Sequence, residues 1–341
     1  MKKRILVTGG TGYIGSHTVV ELIENGFEVI IVDNLSNSKI EAINGIETIT
    51  GIRPVFEKVD LCCKEEVDFI FNKYTDIEGV IHFAAFKAVG ESVEFPMKYY
   101  YNNMNSLLNV LNAIQKSKNQ ISFVFSSSCA VYGNSDILPV SEDLPLGKPT
   151  SPYGNTKLFA EIILQDIVKQ FENLKVIALR YFNPIGAHHS GFIGEAPLKT
   201  YNLIPILTET ATGVRKEMYV FGNDYDTPDG TCLRDYIHVV DIAKAHIIAL
   251  KRLIEENKIS DYEYYNLGIG KGFSVLDIIN TFEKVSGKKI NFKIVDRRVG
   301  DVAEVYASTK LANEVLNWKA QLNLSEMLLS AWKWENEFRN Y

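Results

Sequence analysis

The chain of 341 residues is long enough to bury a large core and to form two domains or lobes. Its 46% apolar and 23% charged residues are typical of a globular protein without long disordered segments. A net charge of −6 argues against a general nucleic-acid-binding protein, and no stretch is long and apolar enough to span a membrane. The four cysteines and six histidines show no metal-ligand spacing, so we expect reduced thiols in a cytoplasmic protein without a metal site.

The first predicted elements form a dinucleotide-binding motif. A short apolar strand at residues 4–7 leads into a loop with glycines at positions 9, 12 and 15, and an amphipathic helix at 13–25 follows. In this context the glycines permit a tight turn and a close approach of backbone to a pyrophosphate, which the helix N-terminus can bind. The next strand, at 28–32, ends at Asp33, whose carboxylate suits the ribose hydroxyls of NAD and would repel the extra phosphate of NADP.

Strands and helices continue to alternate as far as about residue 180. Further strands are predicted at 54–59, 79–83, 121–125 and 175–179, and further helices at 64–73, 97–118 and 153–172. The alternation predicts an α/β fold with a doubly wound, parallel, Rossmann-type sheet, in which ligands bind beyond the carboxyl ends of the strands. After Arg180 the composition becomes richer in Gly, Pro and Asn, which predicts a smaller, interleaved C-terminal substrate lobe. Within it, Asp229-Gly230 predicts a β-hairpin.

These patterns predict two domains. The first covers residues 1–182 and binds NAD, and segments near 235–267 return to it as a helix and a strand. The second covers residues 183–341 and binds the substrate.

Tyr153 and Lys157 form a second motif. Residues four apart lie on the same helix face, and an ammonium group near a phenol lowers its pKa, which would make Tyr153 a usable base near neutral pH. Ser128 follows a predicted strand and can pass a proton or hold a substrate hydroxyl. A tyrosine and a lysine at this spacing also occur on ordinary surface helices, and it is the glycine-rich motif that favours the catalytic interpretation.

Together, these motifs resemble the extended short-chain dehydrogenase/reductase family. Within that family, five segments are similar to the UDP-glucose 4-epimerases, in order along most of the chain: HFAAFKAVGES (82–92), YFNPIGAH (181–188), FGNDY (221–225), TPDGTCLRDYIH (227–238) and RRVGD (297–301). The resemblance implies a UDP-hexose 4-epimerase that interconverts UDP-glucose and UDP-galactose through a 4-keto sugar, with NAD regenerated in every turnover.

The resemblance also implies roles for individual residues. Tyr153 would take the proton of the sugar 4-hydroxyl, Lys157 would hold the nicotinamide ribose, and Ser128 would order the same hydroxyl. Contacts with NAD would come from Gly9, Gly12, Tyr13, Ile14, Gly15, Asp33, Asn34, Asp60, Leu61, Phe83, Ala84, Lys87, Asn102, Ser126, Tyr153, Lys157 and Phe182. For Asp60, capping of its own loop is an equally good explanation from the sequence.

For the UDP-sugar, the resemblance implies cations and amide donors on the diphosphate, an acceptor for the ribose and an aromatic contact with uracil. These residues would be Arg234, Arg298, Asn183, Asn202, Asp301 and Phe221. The family commonly forms homodimers through the helices here predicted at 97–118 and 153–172. The alternative is that the apolar faces of these helices only cover the sheet.

Other functions remain open. A 4,6-dehydratase of the same family would need an Asp-Glu pair where this chain has Ser-Ser-Ser-Cys-Ala at 126–130. A non-catalytic regulator that senses NAD would typically lack Tyr153 and Lys157. A net dehydrogenase is a third alternative. The residues present favour the epimerase over all three.

One position bears on the choice of sugar. In the resembling enzymes, the residue four positions after the aspartate here numbered Asp301 lines the sugar pocket. A tyrosine there restricts them to UDP-glucose and UDP-galactose, and a smaller residue admits N-acetylated sugars. In this chain the position is Val305, and Tyr306 is one place too late. The resemblance therefore implies that UDP-N-acetylglucosamine and UDP-N-acetylgalactosamine are also substrates, unless neighbouring side chains refill the space.

Overall fold

Strands and helices alternate over most of the chain. The computed structural model describes residues 2–298 and 300–339. The strands are β1 (Arg4–Thr8), β2 (Glu28–Asp33), β3 (Val55–Lys58), β4 (Ile77–His82), β5 (Ile121–Ser128), β6 (Leu174–Tyr181), β7 (Asn183–Ile185), β8 (Met218–Phe221), β9 (Leu233–Arg234), β10 (Tyr236–His238), β11 (Tyr262–Leu267), β12 (Phe273–Ser274), β13 (Phe292–Val295) and β14 (Glu304–Val305).

The helices lie between these strands and at the C-terminal end. They are α1 (Tyr13–Glu24), α2 (Glu41–Thr50), α3 (Lys64–Lys73), α4 (Val89–Glu94), α5 (Pro96–Lys116), α6 (Pro152–Ile167), α7 (Leu203–Ala211), α8 (Val239–Ile254), α9 (Val275–Ser286), α10 (Lys310–Val315) and α11 (Leu324–Arg339), with a 3₁₀ helix at Cys129–Tyr132. No helix in the described part of the chain is both long and apolar enough to cross a membrane.

Seven strands form one sheet in the order β11-β6-β5-β4-β1-β2-β3. The pairs β1–β2, β1–β4, β2–β3 and β4–β5 are parallel, which confirms the predicted Rossmann-type α/β fold. Ile5, Leu6 and Val7 of β1 are at most 1% exposed, as expected for a strand that is covered on both faces of a parallel sheet. Because these strands run in one direction, the loops that follow them lie along the same edge of the sheet.

The described residues form two compact units. The first contains residues of 1–133, 145–180 and 243–265, and the second contains residues of 134–144, 181–242 and 266–341. The second unit has its own apolar core, which includes Leu207, Phe282, Met327 and Leu328. Its strands form small sheets, with β7 beside β10, β8 beside β13, and β9 between β12 and β14.

The hairpin predicted at Asp229-Gly230 is wrong. The strand before it, β8, pairs in parallel with β13, whereas the strand after it, β9, pairs with β12 and β14. Asp229 accepts hydrogen bonds from the backbone N–H and the hydroxyl of Thr231, and from the hydroxyl of Ser274. Gly230 has a φ of +78°. The aspartate and the glycine therefore build a turn that is held by side chains, and the chain leaves it toward a different sheet.

Candidate active site

The loop between β1 and α1, with glycines at 9, 12 and 15, leaves its backbone open to close approach by a ligand, and we call it the glycine cradle. Gly9 has a φ of +69°, and a Cβ on it would lie 2.8 Å from the backbone nitrogen of Ala84. A Cβ on Gly15 would overlap the carbonyl oxygen of Gly9, so a larger residue at either position would displace the backbone. Helix α1 begins after Gly12 without a side-chain cap and without an acidic residue in its first turn. Its first N–H groups can therefore bind the phosphates of a dinucleotide, as predicted for NAD.

Asp33 is held beside this cradle at the end of β2. Its Oδ1 accepts hydrogen bonds from the backbone N–H of Leu35 at 2.9 Å and from the hydroxyl of Ser38 at 3.0 Å. Its Oδ2 accepts a weaker one from the N–H of Thr11, in the glycine loop, at 3.3 Å. The carboxylate is partly exposed and its orientation is fixed, so it can accept hydrogen bonds from ribose hydroxyls.

We expect NADP to bind at least about a hundredfold more weakly than NAD, because a 2′-phosphate would meet the Asp33 carboxylate with like charge. Asp33→Asn should narrow this difference, since the amide keeps the shape and loses the charge. The measurement is a titration of both cofactors into protein from which bound nucleotide has been removed. Asp60→Asn is the control for loss of a carboxylate at the neighbouring strand end, and should leave the ratio unchanged. Equal binding of NAD and NADP to the unmodified protein would contradict the role of Asp33.

Most of the other residues predicted to contact NAD lie in the first unit, on loops after β2, β3 and β4 or on α1 and α5. Asp60 accepts a hydrogen bond from the N–H of Cys62 at 2.9 Å, which is the loop-capping arrangement. Asn102 donates to Asn103 at 3.0 Å. The Phe83 ring packs on the His246 ring at a centroid distance of 4.7 Å, and the Lys87 ammonium lies 5.5 Å from the Tyr13 ring centroid. Phe182 differs, since it is a buried residue of the second unit, whose N–H donates to Leu267 O at 3.2 Å.

The structure brings Ser128, Tyr153 and Lys157 together. Ser151 caps α6 by accepting a hydrogen bond from the N–H of Gly154, and Pro152 occupies the first turn. The helix thereby starts just before Tyr153 and turns Tyr153 and Lys157 toward β5. The Ser128 side chain, at the end of β5, is close enough to the Tyr153 hydroxyl to lower its pKa. The Lys157 ammonium donates to the carbonyl oxygen of Ser126 at 2.6 Å.

The pKa of Tyr153 is not lowered as the sequence-based argument expects. Burial raises it to about 12, and the Ser128 side chain opposes that rise only in part. Burial also lowers the pKa of Lys157 to about 7, and its ammonium lies 6.0 Å from the centroid of the Tyr153 ring. The expectation is wrong for this arrangement because desolvation disfavours the charged forms of both side chains.

The residues predicted to bind the UDP-sugar lie in the second unit. Arg234 of β9 is the register partner of Val305 in β14, and its Nη2 lies 3.2 Å from Oδ1 of Asp301. The guanidinium of Arg298 stacks on the ring of Phe221, 3.9 Å from its centroid. Arg234 also donates from Nη1 to the carbonyl oxygen of Leu233 at 2.8 Å. Each guanidinium group has five N–H donors, so both can still donate to an anionic ligand.

The two predicted amide donors lie elsewhere in this unit. Asn183 begins β7, and its backbone N–H donates to the carbonyl oxygen of Asp235 at 3.0 Å. Asn202 precedes α7, and its amide donates to Glu195 at 2.8 Å.

Comparison with known proteins identifies the family. Residues 5–268 match the model of the NAD dependent epimerase/dehydratase family. The chain belongs to that family. It is 50% identical to the UDP-glucose 4-epimerase of Dictyostelium discoideum over 334 residues, which cover 98% of this chain and 96% of that protein.

Two solved structures of family members agree with this assignment. The UDP-glucose 4-epimerase from Stenotrophomonas maltophila, crystallised with NAD and formylated UDP-arabinopyranose, superposes with a TM-score of 0.94 and is 43% identical, with 99% of both chains covered. The UDP-glucose 4-epimerase from Bifidobacterium longum, in complex with NAD⁺ and UDP, gives a TM-score of 0.93 at 43% identity, again with 99% of both chains covered. The glycine cradle and the fixed Asp33 carboxylate of this family member fit an NAD cofactor.

Two buried acids close to these sites were missed by the sequence analysis. Asp235 is 0% exposed and accepts hydrogen bonds from three backbone N–H groups, and burial raises its pKa to about 6. Glu161 is also 0% exposed and lies on α6, four residues after Lys157. Each had a signal in the sequence, because Asp235 follows a candidate ligand directly and Glu161 continues the helical spacing of Tyr153 and Lys157.

Proposed function

We propose that this protein interconverts UDP-glucose and UDP-galactose by inverting the sugar at C4, with NAD as a cofactor that is restored in each turnover. The observation that carries the proposal is the assembly of Tyr153, Lys157 and Ser128 at the end of β5, in the same unit as the glycine cradle. The identity to UDP-glucose 4-epimerases over nearly the whole chain supports this substrate. In this reading the first unit binds NAD and the second binds the UDP-sugar.

The catalytic residues act on the sugar 4-hydroxyl. When bound, NAD supplies a positively charged nicotinamide ring that accepts a hydride from C4 and returns it. Tyr153 takes the proton of the 4-hydroxyl as C4 becomes a ketone, and returns it when C4 is reduced on the other face. Ser128 holds the Tyr153 hydroxyl and favours its ionised form. Lys157, anchored on the Ser126 carbonyl, supplies positive charge beside the phenol and donors for the nicotinamide ribose.

The second unit retains the keto sugar between the two half-reactions. Arg234 and Arg298 bind the diphosphate, with amide donors from Asn183 and Asn202. Asp301 accepts a hydrogen bond from the uridine ribose, and Phe221 packs on uracil. Because these contacts are made to the non-reacting nucleotide, the keto sugar can rotate and present its opposite face while the intermediate stays bound.

An assay with UDP-galactose and no added cofactor tests the proposal. Purified protein should convert UDP-galactose to UDP-glucose until both are present, without accumulation of reduced cofactor. A 4-keto-6-deoxy product would instead identify a dehydratase, steady reduction of added NAD would identify a net dehydrogenase, and NAD binding with no product would identify a regulator. Any of these three results would overturn the proposed reaction.

We propose a cytoplasmic homodimer. All four cysteines are free thiols, which suits a reducing compartment. Helices α5 and α6 expose apolar side chains, including Met97, Tyr101, Phe159 and Ile162. An exposed apolar face on two adjacent helices supports pairing with a second copy of the chain.

Val305 leads to a prediction about N-acetylated sugars. We expect the protein to interconvert UDP-N-acetylglucosamine and UDP-N-acetylgalactosamine as well, because an isopropyl group leaves room for the acetamido group as the ring turns over. Val305→Tyr should reduce this activity at least about tenfold and largely spare UDP-galactose, since overpacking penalises the larger substrate. The measurement is turnover of both sugar pairs by both proteins.

The control for this prediction is Val305→Thr, which keeps the volume and changes the polarity. It should retain both activities. Rapid conversion of UDP-galactose by the unmodified protein, with no conversion of the N-acetylated pair, would show that the neighbours of Val305 fill the space.

A further inference from the structure

Three consecutive serines at the end of β5 each hold one residue of α6. The carbonyl oxygen of Ser126 accepts a hydrogen bond from the ammonium of Lys157 at 2.6 Å, and the Ser128 side chain interacts with the Tyr153 hydroxyl. Between them, the hydroxyl of Ser127 donates to the carboxylate of Glu161. The three helical residues are spaced at i, i+4 and i+8, so they form one stripe of α6 along the strand. A shift of α6 along β5 would therefore break all three contacts together.

Glu161 is the most deeply buried of these three α6 residues. Its carboxylate is fully buried and forms a bidentate ion pair with Arg180 of β6. Nε of Arg180 donates at 2.9 Å and Nη2 donates at 2.6 Å. It also accepts the hydroxyl of Tyr262 of β11 at 3.1 Å. Arg180 in turn donates to the Tyr132 hydroxyl at 2.8 Å, in the 3₁₀ helix that directly follows Ser128. The network thus joins α6 to three strands and to the segment after the catalytic serine.

A buried ion pair of this kind is weak support for a role in stability alone. Removing two charges from water costs several kcal/mol, and well-packed apolar side chains often replace such a pair without loss. Its position suggests a different role, because the network touches the strand and the helix that carry the catalytic groups. The negative charge of Glu161 also favours the protonated form of Lys157, against the effect of burial.

We infer that Glu161 is a positioning residue of the proposed epimerase reaction, which holds α6 in register on β5 through Ser127 and places a negative charge one helical turn from the Lys157 ammonium. This inference rests on the proposed function only for its kinetic consequences. The contacts themselves belong to the first unit and do not depend on the identity of the sugar.

The ionisation of Lys157 depends on every charged or titratable group around it. On its own helix these are Tyr153 and Glu161. Buried His82 of β4, whose pKa burial lowers to about 3, is neutral near pH 7 and adds no charge. Arg180 of β6 and Tyr262 of β11 both contact Glu161, so they act on Lys157 indirectly. Tyr132 contacts Arg180 and is one step further away. Cys129 affects Tyr153. Removing the Glu161 charge leaves Arg180 as an uncompensated cation, which disfavours the Lys157 ammonium further.

The kinetic test is Glu161→Gln, assayed with UDP-galactose across the pH range. We expect kcat at neutral pH to fall about tenfold, with KM changed much less, because the reacting groups are displaced while the nucleotide contacts are not. We also expect the alkaline limb of kcat to move down by about one pH unit, since the Lys157 proton is held less tightly. The inference would be overturned if Glu161→Gln left both kcat at neutral pH and the position of the alkaline limb of its pH profile unchanged.

A second readout does not require activity. Since the pKa of Lys157 is lowered to about 7 from 10.5, the unfolded state binds more protons between these pH values, and Lys157 makes stability rise with pH there. The difference in thermal midpoint between a protein and its Lys157→Met form isolates this rise. In the Glu161→Gln background the rise should begin at lower pH. This stability measurement tests Glu161 even if the unmodified protein proves not to be an epimerase. A rise that begins at the same pH with and without Glu161→Gln would contradict the inference.

Glu263→Gln is the matched control. Glu263 is a buried acid of the same unit that pairs with Arg252 at 2.7 Å and accepts the Tyr265 hydroxyl, but it is not on α6. It should lower the thermal midpoint and leave the pH profile of kcat unchanged. If the alkaline limb of kcat moved equally in Glu161→Gln and Glu263→Gln, Glu161 would have only a general stabilising role.

If Glu161→Gln fails to fold, Ser127→Ala decides. This variant keeps the ion pair with Arg180 and removes only the contact between β5 and Glu161. We expect a fall in kcat of about tenfold at all pH values, with the alkaline limb in place and NAD still bound. Unchanged turnover of Ser127→Ala would refute the register role.

Discussion

Replacing Tyr153 by phenylalanine is expected to lower kcat for UDP-galactose by about a hundredfold or more, while NAD remains bound. The variant loses only the hydroxyl, and with it the group that accepts the sugar proton and the partner of Ser128. Because the ring remains, the other contacts of α6 with β5, through Lys157 and Glu161, should be preserved. The measurement is turnover of UDP-galactose together with the cofactor content of the purified variant.

The control for this change is Tyr101→Phe, which removes an exposed hydroxyl from α5 in the same unit. It should retain full activity. Near-normal turnover of Tyr153→Phe would exclude Tyr153 as the proton acceptor, and loss of NAD from the variant would mean that its effect is not confined to the chemical step.

Replacing Asp235 by alanine is expected to cost about 3 kcal/mol or more in the free energy of unfolding. The buried carboxylate accepts the N–H groups of Ile269 at 2.8 Å, Gly270 at 3.0 Å and Ala307 at 3.1 Å. Alanine leaves all three donors without their acceptor in a buried site, and each such donor carries a desolvation penalty. Urea-induced unfolding of the variant measures the loss.

This change should also weaken the binding of UDP. Asp235 follows Arg234 in the chain, and its carboxylate accepts a hydrogen bond from the N–H of Ala307, two residues after Val305. Loss of the carboxylate should therefore loosen β14 beside β9. Asp226→Ala removes an exposed carboxylate of the same unit and should have little effect on either measurement. If Asp235→Ala unfolds at the same urea concentration as the unmodified protein, the three hydrogen bonds are not what holds these segments together.

The parts of the site that could be predicted are those whose chemistry is local. The glycines at 9, 12 and 15 and the acid at the end of β2 lie within 25 residues of one another, and their spacing follows from one strand–turn–helix unit. Tyr153 and Lys157 share a helix face for the same reason. The parallel sheet was predictable because the alternation of strands and helices leaves few other ways of packing them.

The parts that could not be predicted depend on contacts between distant segments. The hairpin at Asp229-Gly230 fails because β8 finds its partner in β13 and not in the next strand along the chain. The pKa of Tyr153 rises because residues from separate elements surround it and desolvate its hydroxyl, and the local spacing of the sequence does not predict that desolvation.

The amino-acid pattern is sufficient to specify the Rossmann-type sheet, the cofactor loop and the catalytic pair, since each follows from periodicity or spacing within a single unit of structure. The tertiary structure is needed to pair Glu161 with Arg180 and Ser127, and to surround Asp235 with three N–H groups. A buried charge is tolerated only where partners from other segments converge on it, and such convergence exists only once the chain has folded.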